Sequence, residues 1–220
     1  MADKKVCVVV GVGPGMGLAV ARRFGREGFE VALLARDVGK LKGLANELKN
    51  AGVTAQPYAV DVSNAGSIQQ TFDQIKSEMG NPQVLVYNTA AIHPGPPSGV
   101  KIEDLLADFT VNVAGAMVAA QQVIPAMRSQ KQGTILFTGG GLSLYPSQFA
   151  SSLAIGKAGI RNLAYSLGEE LETDGIQVGT VTICGTVKPN THFDPDTIAE
   201  KYWELHKQPQ GQREREIVYK

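Results

Sequence analysis

Short β-branched runs alternate with amphipathic stretches along most of this chain. Residues 6–10 are Val-Cys-Val-Val-Val, too uniformly apolar for an edge strand. An amphipathic helix is expected over residues 18–26, and a second apolar run follows at 31–34. Val38, Leu41, Leu44, Ala45 and Leu48 share one helical face, and Gly52 suits the end of that helix. A third strand is expected at 55–60. Ser63 or Asn64 then caps a helix to Met79, with Ile68, Phe72, Ile75 and Met79 on one face. Strands are expected at 83–87, 134–138 and 178–183, with a mixed-polarity strand at 216–219. Long helices are expected at 102–127, where Pro125 can bend the last turn, and at 148–172. A short helix is expected at 195–205. Residues 93–99 read as a surface loop rich in proline and glycine, and Gly139-Gly140-Gly141 as the entry to another loop.

Buried strands alternating with helices imply an α/β fold: a Rossmann-type, doubly wound parallel sheet with helices on both faces, in three layers α/β/α. One domain covers 1–220, with a short substrate-side loop and helix around 186–208. In such a sheet, binding residues gather at the carboxyl ends of the strands.

The first strand runs into Gly11-Val12-Gly13-Pro14-Gly15-Met16-Gly17 and then into a helix. Strand, glycine turn, helix and strand form a dinucleotide-binding unit. Gly11, Gly15 and Gly17 suit the tight turn, the close approach to a pyrophosphate and the packing of helix on sheet. Gly13 adds flexibility, Pro14 suits a helix start, and the N–H groups around Met16 face the phosphates. Arg36 lies just past the second strand, where an acidic residue would favour NAD. Its donors favour the 2′-phosphate of NADP, with NAD as the alternative; neighbouring Asp37 and Lys40 bear on the same point.

Composition narrows the partners. Lys plus Arg equals Asp plus Glu at 21 each, so nothing points to nucleic acid or an anionic membrane. No apolar stretch is expected to span a membrane, and residues 1–5 lack a secretory cleavage region, which fits a cytoplasmic protein. Cys7 and Cys184 are expected in buried strands as inert thiols. His192 and His206 have no metal-ligand spacing, so no metal site is expected.

The sequence resembles the short-chain dehydrogenase/reductase family over essentially its whole length. The resemblance rests on the glycine turn, Asp61-Val62, Asn88 in Tyr87-Asn88-Thr89-Ala90, Asn112, and Lys157 followed by Ala158-Gly159. It implies that Asp61 and Val62 sit by the adenine. It also implies that Asn112 supports Lys157 through water, and that Lys157 holds the nicotinamide ribose. Gly185 and Val187 keep places on the nicotinamide side, although Cys184-Gly185 replaces Pro-Gly and Pro189 stands where a threonine is common. A homodimer or homotetramer built through the long helices is also implied.

The pattern breaks at the chemistry. The family's tyrosine lies four residues before the lysine, and Leu153 stands there. Its serine lies about thirteen residues earlier, at Gly140. A positioned acid contributes roughly 10²–10⁴-fold to a carbonyl reduction. Tyr145 is the candidate substitute acid. Thr138, Ser143, Ser151, Ser152 and His93 are weaker candidates, and the two serines of 151–152 suit helix capping. The expected activity is that of an NADP-preferring oxidoreductase acting on a small carbonyl, alcohol or activated alkene. The alternative is a catalytically weak or inactive NADP-binding protein that serves as a sensor or partner subunit.

Overall fold

The computed structural model describes residues 5–220. The reading of residues 1–5 as lacking a secretory cleavage region falls almost wholly on residues 1–4, outside the described residues. Seven strands form one sheet: β1 Val6–Val10, β2 Glu30–Ala35, β3 Ala55–Ala59, β4 Val84–Tyr87, β5 Gly133–Gly140, β6 Ile176–Ile183 and β7 Glu216–Tyr219. Their order is β3-β2-β1-β4-β5-β6-β7, and all neighbours are parallel. The order turns back between β1 and β4, which opens a crevice at the carboxyl ends.

Strand periodicity sends alternate residues into two cores. Val6, Val8 and Val10 face one side with Leu85, Tyr87, Ile135 and Phe137. That side is covered by α3 Ala65–Met79, α5 Gly115–Gln130 and α6 Ser151–Leu171. Cys7 and Val9 face the other side, under α1 Met16–Arg26, α2 Val38–Asn50 and α7 Pro195–His206. Every residue of β1, β4 and β6 is buried. This explains why the runs of β1 and β4 read as continuously apolar. On the second face Arg22 bridges Glu47 of α2 and Asp196 of α7, while Arg23 lies over the Trp203 ring at 4.7 Å. The same layer packs half-buried His206 against Phe24, with a ring nitrogen 2.9 Å from Thr134 Oγ1. Burial there lowers the His206 pKa to about 4, so His206 serves packing.

Several boundaries differ from the sequence expectation. The helix expected at 102–127 is α4 Ile102–Phe109, one π turn at Thr110–Ala114 and then α5, which carries Pro125 inside it. By length and composition alone, the 29-residue stretch Ile102–Gln130 is apolar enough to cross a membrane, contrary to expectation. Its apolar stripe of Ala116, Ala119, Ala120, Val123 and Met127 is instead a face of the first core. β5 continues through Gly139 and Gly140, because both pair with β6. Cys7 is fully buried, whereas Cys184 lies just past β6 and is partly exposed. Asn64 and Asp194 cap α3 and α7 through their side chains.

Candidate functional site

Two adjoining clefts lie along the carboxyl edge of the sheet. The first, of about 550 Å³, is lined by Gly11, Gly13, Arg36, Asp61, Val62, Asn88 and their neighbours. The second, of about 480 Å³, is lined by Met16, Thr138, Gly140, Tyr145, Leu153, Lys157, Cys184, Gly185 and Val187, among others. The structure therefore brings nearly all the sequence-predicted residues to one edge; Gly15 and Gly17 belong to the turn and α1 start beside it.

The glycine turn divides its work by position. Gly11 has φ +86°, and a Cβ there would stand 2.7 Å from Thr89 Oγ1. A Cβ on Gly17 would stand 2.7 Å from both the Gly11 carbonyl oxygen and the Val12 Cα. Gly15 is different: it is the N-cap of α1, has no side-chain cap, and a Cβ would meet nothing within 4 Å. Its open side lies where the first-turn N–H groups lack helical partners. Pro14 precedes this cap and lies outside the helix, rather than in its first turn. An anionic pyrophosphate fits that geometry. Gly17→Ala should destabilise the fold by about 1–3 kcal/mol, because backbone atoms on two sides cannot yield. Urea denaturation checks this, and wild-type stability would count against it.

At the far end of the first cleft, the Arg36 guanidinium is exposed and makes no hydrogen bond among the described residues. The Asp61 carboxylate accepts from the Ser63 hydroxyl and N–H at 2.6 and 3.0 Å. Those bonds, and the nearby Arg36 charge, hold its pKa below the usual range. Asp37 caps α2, its Oδ1 accepting from the Lys40 N–H at 3.1 Å. Lys40 remains largely exposed. A 2′-phosphate would find Arg36 unengaged.

A hydrogen-bond chain joins the two clefts. The Tyr202 hydroxyl lies 2.7 Å from Thr138 Oγ1, which donates to Asn88 Oδ1 at 2.8 Å. Asn88 Nδ2 donates to the Gly11 carbonyl at 2.9 Å. One hydroxyl proton serves one acceptor, so the Tyr202 hydroxyl donates into this chain. Tyr202 is fully buried on α7 and was not singled out by sequence. Its signal would have been a phenol on an otherwise apolar helix face.

Lys157 rises from α6 and donates to the Thr138 carbonyl at 2.7 Å. Burial lowers its pKa from the ordinary 10.5 to about 8. A Cβ at Gly140 would lie 3.4 Å from the Lys157 methylenes, in ordinary contact. Leu153 completes this wall of the second cleft. Neither Gly140 nor Leu153 offers a proton.

Asn112 sits in the π turn, buried. Its amide donates to the Ala91 carbonyl at 2.9 Å and accepts the Ala91 N–H at 2.7 Å. A Cβ at Gly156 would stand 2.6 Å from its Nδ2, so it also sets the approach of α6. In this geometry the Asn112 side chain clamps the loop after β4 to α6. Tyr145 stands at the rim of the second cleft, 64% exposed, with the Lys220 ammonium 5.7 Å from its ring centre.

Of the weaker candidates, Thr138 lines the second cleft, while Ser143, Ser151, Ser152 and His93 line neither cleft. Ser143 donates to the Gly140 carbonyl, Ser151 to the Gly95 carbonyl and Ser152 to the His93 carbonyl. The last two therefore tie the Pro-Gly loop to α6 instead of capping the helix. His93, expected as a solvent-exposed loop residue, pairs with buried Asp108 at 2.9 Å. Past β6 the segment folds back on itself: Phe193 lies over Gly185, and Tyr219 donates to the His192 carbonyl. No group of acidic, Cys and His residues suited to a metal is present among the described residues.

Comparison with known proteins agrees with this architecture. A short chain dehydrogenase of Pseudocercospora fijiensis is 33% identical over 78% of this chain, which spans 56% of that protein's length. A glucose 1-dehydrogenase of Gluconobacter oxydans is 30% identical over 86% of this chain and 71% of its own length. Among solved structures, a metagenomic short-chain oxidoreductase in complex with NADP superposes with a TM-score of 0.87 at 29% identity. That match covers 97% of this chain and 96% of the other. The profile of the short chain dehydrogenases matches residues 5–197, and the chain belongs to that family.

Proposed function

We propose that the protein is an NADP-preferring oxidoreductase acting on a small carbonyl, alcohol or activated alkene, with a substrate centre that lacks the family's tyrosine and serine. The observation that carries this reading is buried Lys157, pinned to Thr138 on the wall of an open cleft beside a free helix N-terminus. A buried lysine is costly unless its charge or proton is used. The NADP complex of the metagenomic relative supports the same cofactor here.

The roles follow from position. N–H groups at Gly15, Met16 and Gly17 take the pyrophosphate, Arg36 the 2′-phosphate, and Asp61 and Val62 flank the adenine. Lys157 keeps two ammonium donors beyond the Thr138 bond for ribose hydroxyls. Gly185 and Val187 border the nicotinamide side, and Asn112 fixes the wall between loop and α6. When bound, the reduced nicotinamide would supply a hydride to an electrophilic carbon. Leu153 and Gly140 leave that place apolar, which suits conjugate reduction, where the proton is needed away from the first-formed charge. Their lack of a donor also favours the second reading, a cofactor-binding protein with little turnover. Calorimetric titration with NADPH and NADH tests the reading. Tight NADPH and weak NADH binding is expected; absence of both would overturn it.

Assembly belongs to the same proposal. Ile102, Leu106, Phe109 and Ile155 leave an apolar face across α4 and α6, with Leu106 59% exposed. A homodimer or homotetramer through these helices would cover it. Light scattering should give a dimer or larger, and Leu106→Glu should shift it toward monomer. A monomeric wild type would contradict this.

A further inference from the structure

We infer that Lys157 itself gives the proton to the substrate oxygen, from between the two vacant positions at Gly140 and Leu153; this rests on the oxidoreductase reading above.

Lys157 stands between both vacancies. Leu153 precedes it by one turn of α6, so the two side chains are neighbours on one helical face, and both line the second cleft. On the other side, a Cβ at Gly140 would lie 3.4 Å from Lys157 Cγ, Cδ and Cε. Nζ is one bond beyond Cε. The ammonium thus sits beside the place where a side chain at 140 would hold a substrate oxygen.

The other donors of this cleft are spent or peripheral. The Thr138 hydroxyl gives its proton to Asn88, and Cys184 Sγ lies 3.8 Å from the Thr182 carbonyl. Tyr145 stands out at the rim. Lys157 carries three N–H donors, and the Thr138 carbonyl is its one hydrogen-bond partner among the described residues. One of the other two meets a ribose hydroxyl, and the last is the acid proton.

The surroundings favour its release. On the elements around α6, Asp104 and Asp108 of α4 pair with His93, and Glu216 of β7 pairs with Arg161. Lys220 faces the Tyr145 ring. Among the described residues, no second charged side chain lines the cleft. Burial therefore acts on the ammonium without a countercharge and lowers its pKa to about 8. Giving the proton away discharges a buried cation, at a pH where the lysine still carries it.

The reaction balances for both substrate classes. In an aldehyde or ketone, the carbon gains a hydride with its electron pair from a reduced nicotinamide dinucleotide. The π pair moves to oxygen, and the oxygen takes the proton from Nζ. In an enone the hydride goes to the β-carbon, the enolate oxygen takes the proton, and the enol returns to the ketone in water. Solvent reprotonates the neutral amine.

The test uses the full chain and NADPH with p-nitrobenzaldehyde and cyclohex-2-enone as probes. For the probe that is reduced, kcat/KM should be level below about pH 8 and fall about tenfold per unit above it. The break should remain in Tyr145→Phe and Cys184→Ser. Lys157→Arg keeps charge and donors but has no transferable proton. Its kcat should fall about 100-fold, within the usual range for a general acid, with NADPH binding retained. Nitrogen-15 lysine spectra of the unliganded protein should show one resonance titrating near pH 8 and absent from Lys157→Met. The pH profile and the spectra use wild type, so they decide the matter even where Lys157→Arg fails to fold. Reduction with no break up to pH 10, a fully active Lys157→Arg, or a Lys157 resonance titrating near 10.5 would overturn the proposal and leave the oxidoreductase reading standing. A break lost in Tyr145→Phe would also overturn it and assign the acid to that phenol. A wild type that binds NADPH yet reduces neither probe, or binds no NADPH, would overturn the oxidoreductase reading and this proposal with it.

Discussion

Lys157→Met should lose at least about 100-fold in turnover, the scale set by misplacing bound reactants, while remaining folded. Among the described residues, the lysine is the one charged group lining the second cleft, and it is buried. Methionine fills its volume but offers no donor to Thr138 or to a ribose. Stability carries a separate signature. Burial lowers the folded pKa to about 8 against the ordinary 10.5. Below pH 8 the lysine is charged in both states and the folded state bears the whole desolvation cost. Between pH 8 and 10.5 the unfolded state holds more protons than the folded one, so stability rises with pH. The relative gain is about 3 kcal/mol. Burial also raises the pKa of Cys7, Tyr58, Tyr87 and Tyr202, which costs stability at high pH in both proteins. The difference between wild type and Lys157→Met isolates the lysine. Urea titrations across that pH range should show wild type gaining on the variant; parallel curves would mean that Lys157 is solvated.

Arg36→Ala should weaken NADPH binding by about 10–100-fold, the value of one or two charge-assisted hydrogen bonds, and leave NADH binding nearly unchanged. The guanidinium is exposed at the end of β2 without a hydrogen-bond partner among the described residues, so removing it costs the fold little. Asp61 stays held by Ser63. Asp37 stays held as the cap of α2. Calorimetry with both nucleotides reads the ratio. An equal loss for NADPH and NADH would assign Arg36 to general charge attraction rather than to the 2′-phosphate.

The sheet was legible because seven strands carry local signals: β-branched runs, glycine punctuation and helical spacing between them. The cofactor edge was legible for the same reason, since a glycine turn is contiguous in sequence. Lys157 and Asn112 came instead from family resemblance, and geometry adds a task to Asn112: its amide clamps Ala91. The misread elements involve distant partners. Gly139 and Gly140 read as loop residues because glycine disfavours strands, yet pairing with β6 keeps them in one. Ser151 and Ser152 stand where helix caps belong, but a loop more than fifty residues away captures their hydroxyls. His93 and Asp108 are fifteen residues apart and on different elements, so no local pattern announces their pairing. Tyr202 reaches Thr138 across 64 residues.

Hydride transfer is the step on which the account turns. The direct measurement incubates wild type with NADPH deuterated at the transferring carbon and, in parallel, p-nitrobenzaldehyde as a carbonyl and cyclohex-2-enone as an activated alkene, followed by mass spectrometry of the products. The account predicts one deuterium in each molecule of reduced product from at least one of the two. Tight binding of NADPH with no labelled product from either would contradict it, and would make the protein a cofactor-binding relative without hydride-transfer chemistry.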